Sequence, residues 1–451
     1  MSPIFLSIIV VLAVALLLFM VLKLKISAFI ALLITAIFVG IAAGMPLSSI
    51  TKSIQEGMAG TLGFVATVVG LGAIFGQILE SSGGAESLAH YLIKKFGKDR
   101  APWALTLTGF IVAIPVFFDV GFIILVPIVY SLSRDTGKSL LYYAIPLLAG
   151  LAVAHSFVPP TPGPVAVANI VDAPLGWIIL FGILLGLPTV AISGPVFGKF
   201  IAKKIYLEVP PEMNVTSPDT DSGDFPPFRL IVWIVAIPLL LILLNTFTGV
   251  AVSSGMVEKS VLTDALEFVG HPFSALIIAT LAAMYFLGIR RGMDKKTILD
   301  LSNKALGPAG IIILVTGAGG VLKQVLVDSG IGQMMAESMA GSPLPPLVLA
   351  WVLAAVVRVT QGSATVAMIT AAGIIAPVIE QFDLSDPQRA LIVIAISSGA
   401  TMLSHVNDSG FWLVGKYLGM NEKQTLQSWT IMESVIALCG LAFVMITSIF
   451  V

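Results

Sequence analysis

Pro115-Val-Phe-Phe-Asp119-Val-Gly121 lies in the middle of an apolar run, Trp103 to Leu132, that is about 30 residues long. A helix needs only about 20 apolar residues to cross the roughly 30 Å of a bilayer's hydrocarbon. The run is too long for one crossing and too short for two. Proline breaks a helix, glycine permits a tight reversal, and a carboxylate inside an apolar run is costly. Together they predict a re-entrant hairpin, with Pro115 breaking the helix and Gly121 turning it. A second run, Leu347 to Ile379, is broken in the same way at Arg358-Val-Thr360-Gln361-Gly362-Ser363-Ala-Thr365. Two further runs are also overlong. Leu140 to Ile170 contains His155-Ser156-Phe-Val-Pro159-Pro160-Thr161-Pro162-Gly163-Pro164, and Ala390 to Leu418 contains Ser404-His405-Val-Asn407-Asp408-Ser409-Gly410.

The composition fits spans of this kind and little else. Of 451 residues, 57% are hydrophobic and 11% are charged, against about 25% charged in a typical soluble domain. A soluble chain of this length has no way to hide so much apolar surface. The net charge of -1 gives no basic excess for nucleic acid. A single cysteine, Cys439, excludes a disulfide framework and a cysteine metal cluster. No His-Glu-x-x-His, Gly-x-Ser-x-Gly or Walker motif is present, so neither an enzyme, a metal nor a nucleotide cofactor is expected. The sequence predicts an all-α polytopic membrane protein.

The basic residues orient it. If both broken runs leave on the side they enter, 19 of the 24 Lys and Arg fall in cytoplasmic segments, and only Lys52, Lys259 and Arg389 fall outside. If either run crossed fully, that bias would collapse. The first hairpin is therefore expected to enter from the cytoplasm and the second from outside, with both termini outside. Ile4 to Leu22 lacks a basic n-region and a cleavage site, so it reads as a retained span.

A repeat underlies the pattern. Gly70-Leu-Gly72-Ala-Ile-Phe-Gly-Gln77 matches Gly317-Ala-Gly319-Gly-Val-Leu-Lys-Gln324 at a constant offset of 247. The glycines themselves suit close helix packing. Each copy precedes a hairpin and then a broken span, and the charges give the copies opposite orientations. The expected organisation is scaffold helices at 1–56, a first inverted repeat at 57–200 (hairpin 103–132, broken helix 140–170) and a cytoplasmic linker at 201–228. Scaffold helices at 229–304 follow, then a second repeat at 305–424 (hairpin 344–380, broken helix 388–418) and a C-terminal helix at 425–451. Inverted repeats with interrupted helices build many secondary transporters, whose substrates bind near the midplane where the breaks meet.

Non-helical backbone at membrane depth is tolerated where it lines a wet or buried cavity, so the four interruptions are the candidate site. Arg358 suits a carboxylate, or else a structural salt bridge to Asp328 or Asp119. Thr360, Gln361, Gly362, Ser363 and Thr365, with Ser156, Pro160, Thr161, Gly121, Asn407 and Ser409, offer hydroxyls, amides and freed backbone to a polar ligand. Asp119 is either a proton carrier or a cap on the restarting helix. Asp408, His155 and His405 are the other candidates for a coupling proton, the histidines alternatively being hydrogen-bonded core residues.

These motifs, with Ser82-Gly-Gly-Ala-Glu86, Val158-Pro-Pro-Thr-Pro-Gly-Pro164 and Ser404-His-Val-Asn-Asp-Ser-Gly-Phe-Trp412, together resemble the gluconate permease family of sugar-acid:proton symporters, within the wider ion transporter superfamily. The resemblance runs from about residue 57 to 433. It implies a homodimer in the bacterial inner membrane and an elevator-like movement that carries a small anionic sugar acid with a proton. Two departures stand out. Thr161 occupies a position where many members carry histidine, and Phe117-Phe118-Asp119 resembles only part of the family, other members having a glutamate there. Gluconate, a related aldonate, a four-carbon sugar acid and a small acid such as D-serine all stay open as substrates. A sodium-coupled carboxylate carrier and an ion channel with paired pore loops are the competing mechanisms.

Overall fold

The computed structural model describes residues 3–210, 225–331, 333 and 345–451, and among these it holds helices and no strand. In chain order they are α1 (Pro3–Leu22), α2 (Ala28–Ala42), α3 (Leu47–Ser81), α4 (Gly84–Phe96), α5 (Ala101–Val112), α6 (Phe118–Thr136), α7 (Leu141–Phe157), α8 (Pro162–Ile170) and α9 (Leu175–Lys204). After the linker come α10 (Phe228–Ser253), α11 (Val261–Gly270), α12 (Pro272–Arg291), α13 (Lys295–Asp328), α14 (Pro346–Gln361), α15 (Ala364–Ile379), α16 (Asp386–Gly399), α17 (Ser409–Leu418) and α18 (Glu422–Thr447). Residues 211–224, the middle of the expected linker, and residue 344, the first of the expected second hairpin, lie outside the described residues.

The two copies of the 247-offset motif lie on α3 and α13, and these helices run antiparallel. Ser53 donates to Asp328 Oδ2 at 2.6 Å. A Cβ on Gly57 would stand 2.7 Å from Gly320 O, and one on Gly70 would stand 3.7 Å from Leu306. Residue numbers rise along one helix as they fall along the other, as an inverted repeat requires. Glycine lets the backbones approach this closely, because dispersion and small-residue packing hold helices together where lipid removes the hydrophobic drive. Both helices, of 35 and 34 residues, are longer than the about 20 residues that a crossing needs. No breaker follows Pro46 until Ser82, so the polar turn around Lys52 stays helical. At the start of α13, Asp294 Oδ1 accepts the Thr297 N–H at 2.6 Å, and this bond holds the Asp294 carboxyl below its usual range.

Both hairpins return to the end of the bundle from which they came. Lys98, just before α5, lies 3.0 Å from Asp135 at the end of α6. In an unbroken helix those residues would be about 55 Å apart. Alongside them, Leu140 N–H donates to Leu207 O at 2.8 Å, and Ser87 donates to Pro226 O at 2.6 Å. In the second hairpin α14 and α15 have 16 residues each, about 24 Å, too short to cross. Gly362, at φ +85, turns the chain between them. The hairpin ends at Glu380, 2.8 Å from Lys323 near the far end of α13. At that same end Arg389 donates to Val171 O at 3.2 Å, and Gln388 donates to Val451 O at 3.0 Å. The hairpins therefore point at each other from opposite ends.

The two broken spans differ in kind. In the first, four residues separate α7 from α8, because Pro162 takes the first helical position, where its missing N–H costs nothing. In the second, nine residues separate α16 from α17, and the helix restarts when Asp408 accepts the Gly410 N–H at 3.2 Å.

Candidate functional site

The two hairpin tips, α7, Pro308 and Ile312 of α13, the second break and α18 line an open cavity of about 620 Å³. From the first tip come Phe117, Phe118, Asp119 and Val120, and from α7 come Ala152, His155 and Ser156. The second tip supplies Arg358 and Gln361 through Thr365, the second break Asn407 through Gly410, and α18 Trp429 and Glu433.

Arg358 is 3% exposed. Its Nη2 lies 2.6 Å from Asp408 Oδ2, and its Nη1 donates to Gly362 O. Its partner is thus Asp408. Asp328, at the end of α13, takes its hydrogen bonds from Ser53 and Gln324. Asp408 is held from three sides: the same Oδ2 accepts Ser404 Oγ–H at 2.5 Å, and Oδ1 accepts the Gly410 N–H. Ser404 is in turn fixed by Trp429 Nε1–H at 2.7 Å and by Thr430, which donates to its carbonyl. One network therefore ties the second tip, the second break and α18 together.

Three polar groups on the cavity wall are unmatched. Arg358 Nε, His155 Nδ1 and both amide atoms of Gln361 are buried without a hydrogen-bond partner. Leaving such a group unpaired costs roughly 1–3 kcal/mol, so their presence around one cavity marks a place for a polar ligand. His155 also meets Phe117 edge-on at 6.2 Å, and Phe118 packs on Trp429 at 5.3 Å between ring centroids. The rings give the cavity an apolar side for a carbon chain.

Several residues singled out in the sequence hold the walls in place. Asn407 donates to Val359 O at 2.9 Å and Thr360 O at 3.2 Å, and His405 Nε2 meets Val359 O at 2.9 Å. Both clasp the end of α14. The Thr360 hydroxyl bonds back to its own helix, and Ser363 caps α15 through the Val366 N–H. Ser156, Thr365 and Ser409 face the cavity. Pro160 and Thr161 lie apart from it, beside a separate small void with Gly72 and Pro115, and Thr161 Oγ donates to Val158 O at 2.7 Å. Gly121 does not make the reversal. The chain turns at Ala113–Phe117, and Gly121 sits one turn into α6, where a Cβ would stand 2.9 Å from Leu151. Asp119, at the second position of α6, makes no capping bond and faces the cavity.

Reading the breaks alone missed Trp429 and Glu433. Glu433 is 4% exposed. The available signal was a glutamate inside an otherwise apolar span. A π-helical turn, Leu426–Thr430, precedes it and resets the face that α18 presents. Of the charged groups around the cavity, among the described residues, Arg358 is the one cation, against the carboxylates of Asp119, Asp408 and Glu433. No cluster of His, Cys, Asp or Glu suited to a metal ion occurs among the described residues.

The comparisons with known proteins agree with this architecture. The chain is 43% identical to the low-affinity gluconate transporter of Escherichia coli K12, with 95% of each chain covered. It is 37% identical to the gluconate permease of Bacillus subtilis, over 98% of this chain and 99% of that one. It is also 38% identical to the Gnt-II system L-idonate transporter of Escherichia coli K12, over 96% and 97%. Among solved structures, the YdaH transporter of Alcanivorax borkumensis shares the fold, with a TM-score of 0.62 at 14% identity over 90% of each chain. The profile of the GntP family permeases matches residues 5–450, a stretch that takes in both hairpins, both breaks and the helix carrying Glu433. The chain therefore belongs to the GntP permease family.

Proposed function

We propose that the protein imports gluconate or a closely related sugar acid together with protons across the bacterial inner membrane. Its relatives, named for gluconate and L-idonate, support the substrate class. Arg358 would receive the substrate carboxylate, and Gln361, Ser363, Thr365, Ser156 and Ser409 would meet its hydroxyls. The observation that carries the coupling is the charge balance of the cavity, one cation against three carboxylates. An anion entering that site meets net repulsion at low dielectric. Protonation of a wall carboxylate lowers the repulsion, so anion and proton each favour the binding of the other.

The basic end of the bundle would face the cytoplasm and both termini the outside. The repeats at 57–200 and 305–424 would carry the site in an elevator-like movement against scaffold helices at 1–56 and 229–304, in a homodimer. The test is uptake of labelled gluconate by proteoliposomes in sodium-free medium. An inward proton gradient is expected to drive accumulation that a protonophore collapses. Uptake that needs sodium and ignores pH would establish the sodium-coupled carrier instead. Currents far above carrier rates, without saturation, would establish a channel.

A further inference from the structure

We propose that Glu433 is the group that binds the coupling proton, and that its neutralisation admits the anion to the cavity. The inference rests on the transport reading above and assigns the proton within that site. Three observations single out Glu433. It lies on the wall of the cavity and is 4% exposed. It has no ion-pair partner within 4 Å among the described residues, because Arg358, the cation of the site, is taken by Asp408. It also lies in the first α-helical turn after a π-helical turn, Leu426–Thr430, that breaks the register of an otherwise regular span, a distortion that often marks a functional position. A carboxylate so enclosed, without a cation of its own, is costly when ionised and acceptable when protonated.

The other titratable groups facing the cavity are less suited. Asp408 is already engaged by Arg358, Ser404 and the Gly410 N–H. Asp119, on α6, is exposed to the open space of the cavity, whereas Glu433 is enclosed in its wall. His155, on α7, packs edge-on against Phe117 with its Nδ1 buried and unpartnered, and no ion pair to it occurs among the described residues. On α16, which also packs against α18, Asp386 and Arg389 stand at the far end, where Arg389 bonds Val171 O. α9 carries Lys199, Lys203 and Lys204 in its last turns at the basic end, away from the cavity lining. In the cycle a proton from the outer solution binds the Glu433 carboxylate to give the neutral acid. The anion then binds at Arg358, both are carried, and both leave to the cytoplasm. One anion and one proton move with no net charge.

The test compares the parent with Glu433→Gln and Glu433→Asp in proteoliposomes. A pH difference of one unit is worth about 1.4 kcal/mol per proton, or about tenfold accumulation. The parent should show it, and Glu433→Gln should fall to no accumulation while gluconate counterflow persists and its pH dependence flattens. Glu433→Asp should restore accumulation with a displaced pH profile. Parental accumulation by Glu433→Gln would overturn the assignment, as would loss of gluconate binding by a well-folded Glu433→Gln, which would make the residue a substrate ligand. Failure of the parent itself to exchange gluconate would count against the transport reading. If neither variant folds, the parent decides. A hydrophobic carbodiimide, which attacks protonated carboxyls in apolar surroundings, should label Glu433 less as pH rises, and gluconate should protect it. Labelling of Asp119 in place of Glu433 would overturn the proposal.

Discussion

Arg358→Ala is expected to abolish gluconate uptake, with affinity for the labelled sugar acid falling at least about thirtyfold. Truncating one partner of a buried charge pair costs about 2–5 kcal/mol in binding, and Arg358 is the cation of the cavity. The same change strips Asp408 of its ion-pair partner, leaving it Ser404 and the Gly410 N–H alone. An uncompensated buried charge costs about 3–5 kcal/mol of stability, so the melting temperature should fall as well. The double variant Arg358→Ala/Asp408→Ala separates the two effects. It removes the stranded carboxylate, so melting should recover toward the parent while uptake stays absent. Lysine is a poor replacement, since one ammonium does not reproduce the fork that spans Asp408 Oδ2 and Gly362 O. Parental affinity in Arg358→Ala, measured on detergent-purified protein, would remove Arg358 from the site.

The second large effect is expected at the tip itself. Gly362 has φ +85, and a Cβ there would lie 2.9 Å from Asn407 Cγ and closer still to the Asn407 carbonyl. A left-handed conformation costs a residue other than glycine about 1–2 kcal/mol, and a β-branched one more. Gly362→Val should therefore push the tip off the second break. It would dislodge the Asn407 clasp on Val359 and Thr360, and with it the carbonyl that accepts from Arg358. Uptake should drop by more than about tenfold, since a misplacement of about 1 Å in a positioned site is enough to cost that much. Membrane expression should survive, because α14 and α15 keep their own hydrogen bonds and packing. Parental uptake by Gly362→Val would mean that the tip and the second break are not packed as described.

Much of this arrangement is legible in one dimension. Pro115 and Gly362 declare their breaks, the 247-residue offset declares the repeat, and the distribution of Lys and Arg declares that the copies are inverted. The parts that are not legible depend on pairing across the fold. Arg358 and Asp408 are 50 residues apart, and no local pattern chooses Asp408 over Asp328 or Asp119. Thr161 sits in a proline-rich break that looks like a binding loop, yet its hydroxyl is satisfied by Val158 and it faces a different void. Gly121 looks like the turn, but the five residues Ala113–Phe117 before α6 reverse the chain, and the glycine serves the close approach of Leu151. Glu433 was hidden because its span reads as an ordinary closing helix. Only the π-helical turn at Leu426–Thr430 shows why that glutamate faces the cavity.

The central claim is that two dead-end hairpins meet from opposite faces, and side-specific labelling tests it most directly. In a Cys439→Ala background, single cysteines replace Asp99 and Lys138, which flank the first hairpin, and Pro345 and Asp383, which flank the second. All four positions are exposed. A membrane-impermeant maleimide should label 99 and 138 in inside-out vesicles only, and 345 and 383 in right-side-out vesicles only. If the two members of either pair react from opposite sides, that hairpin crosses the membrane and the account is wrong.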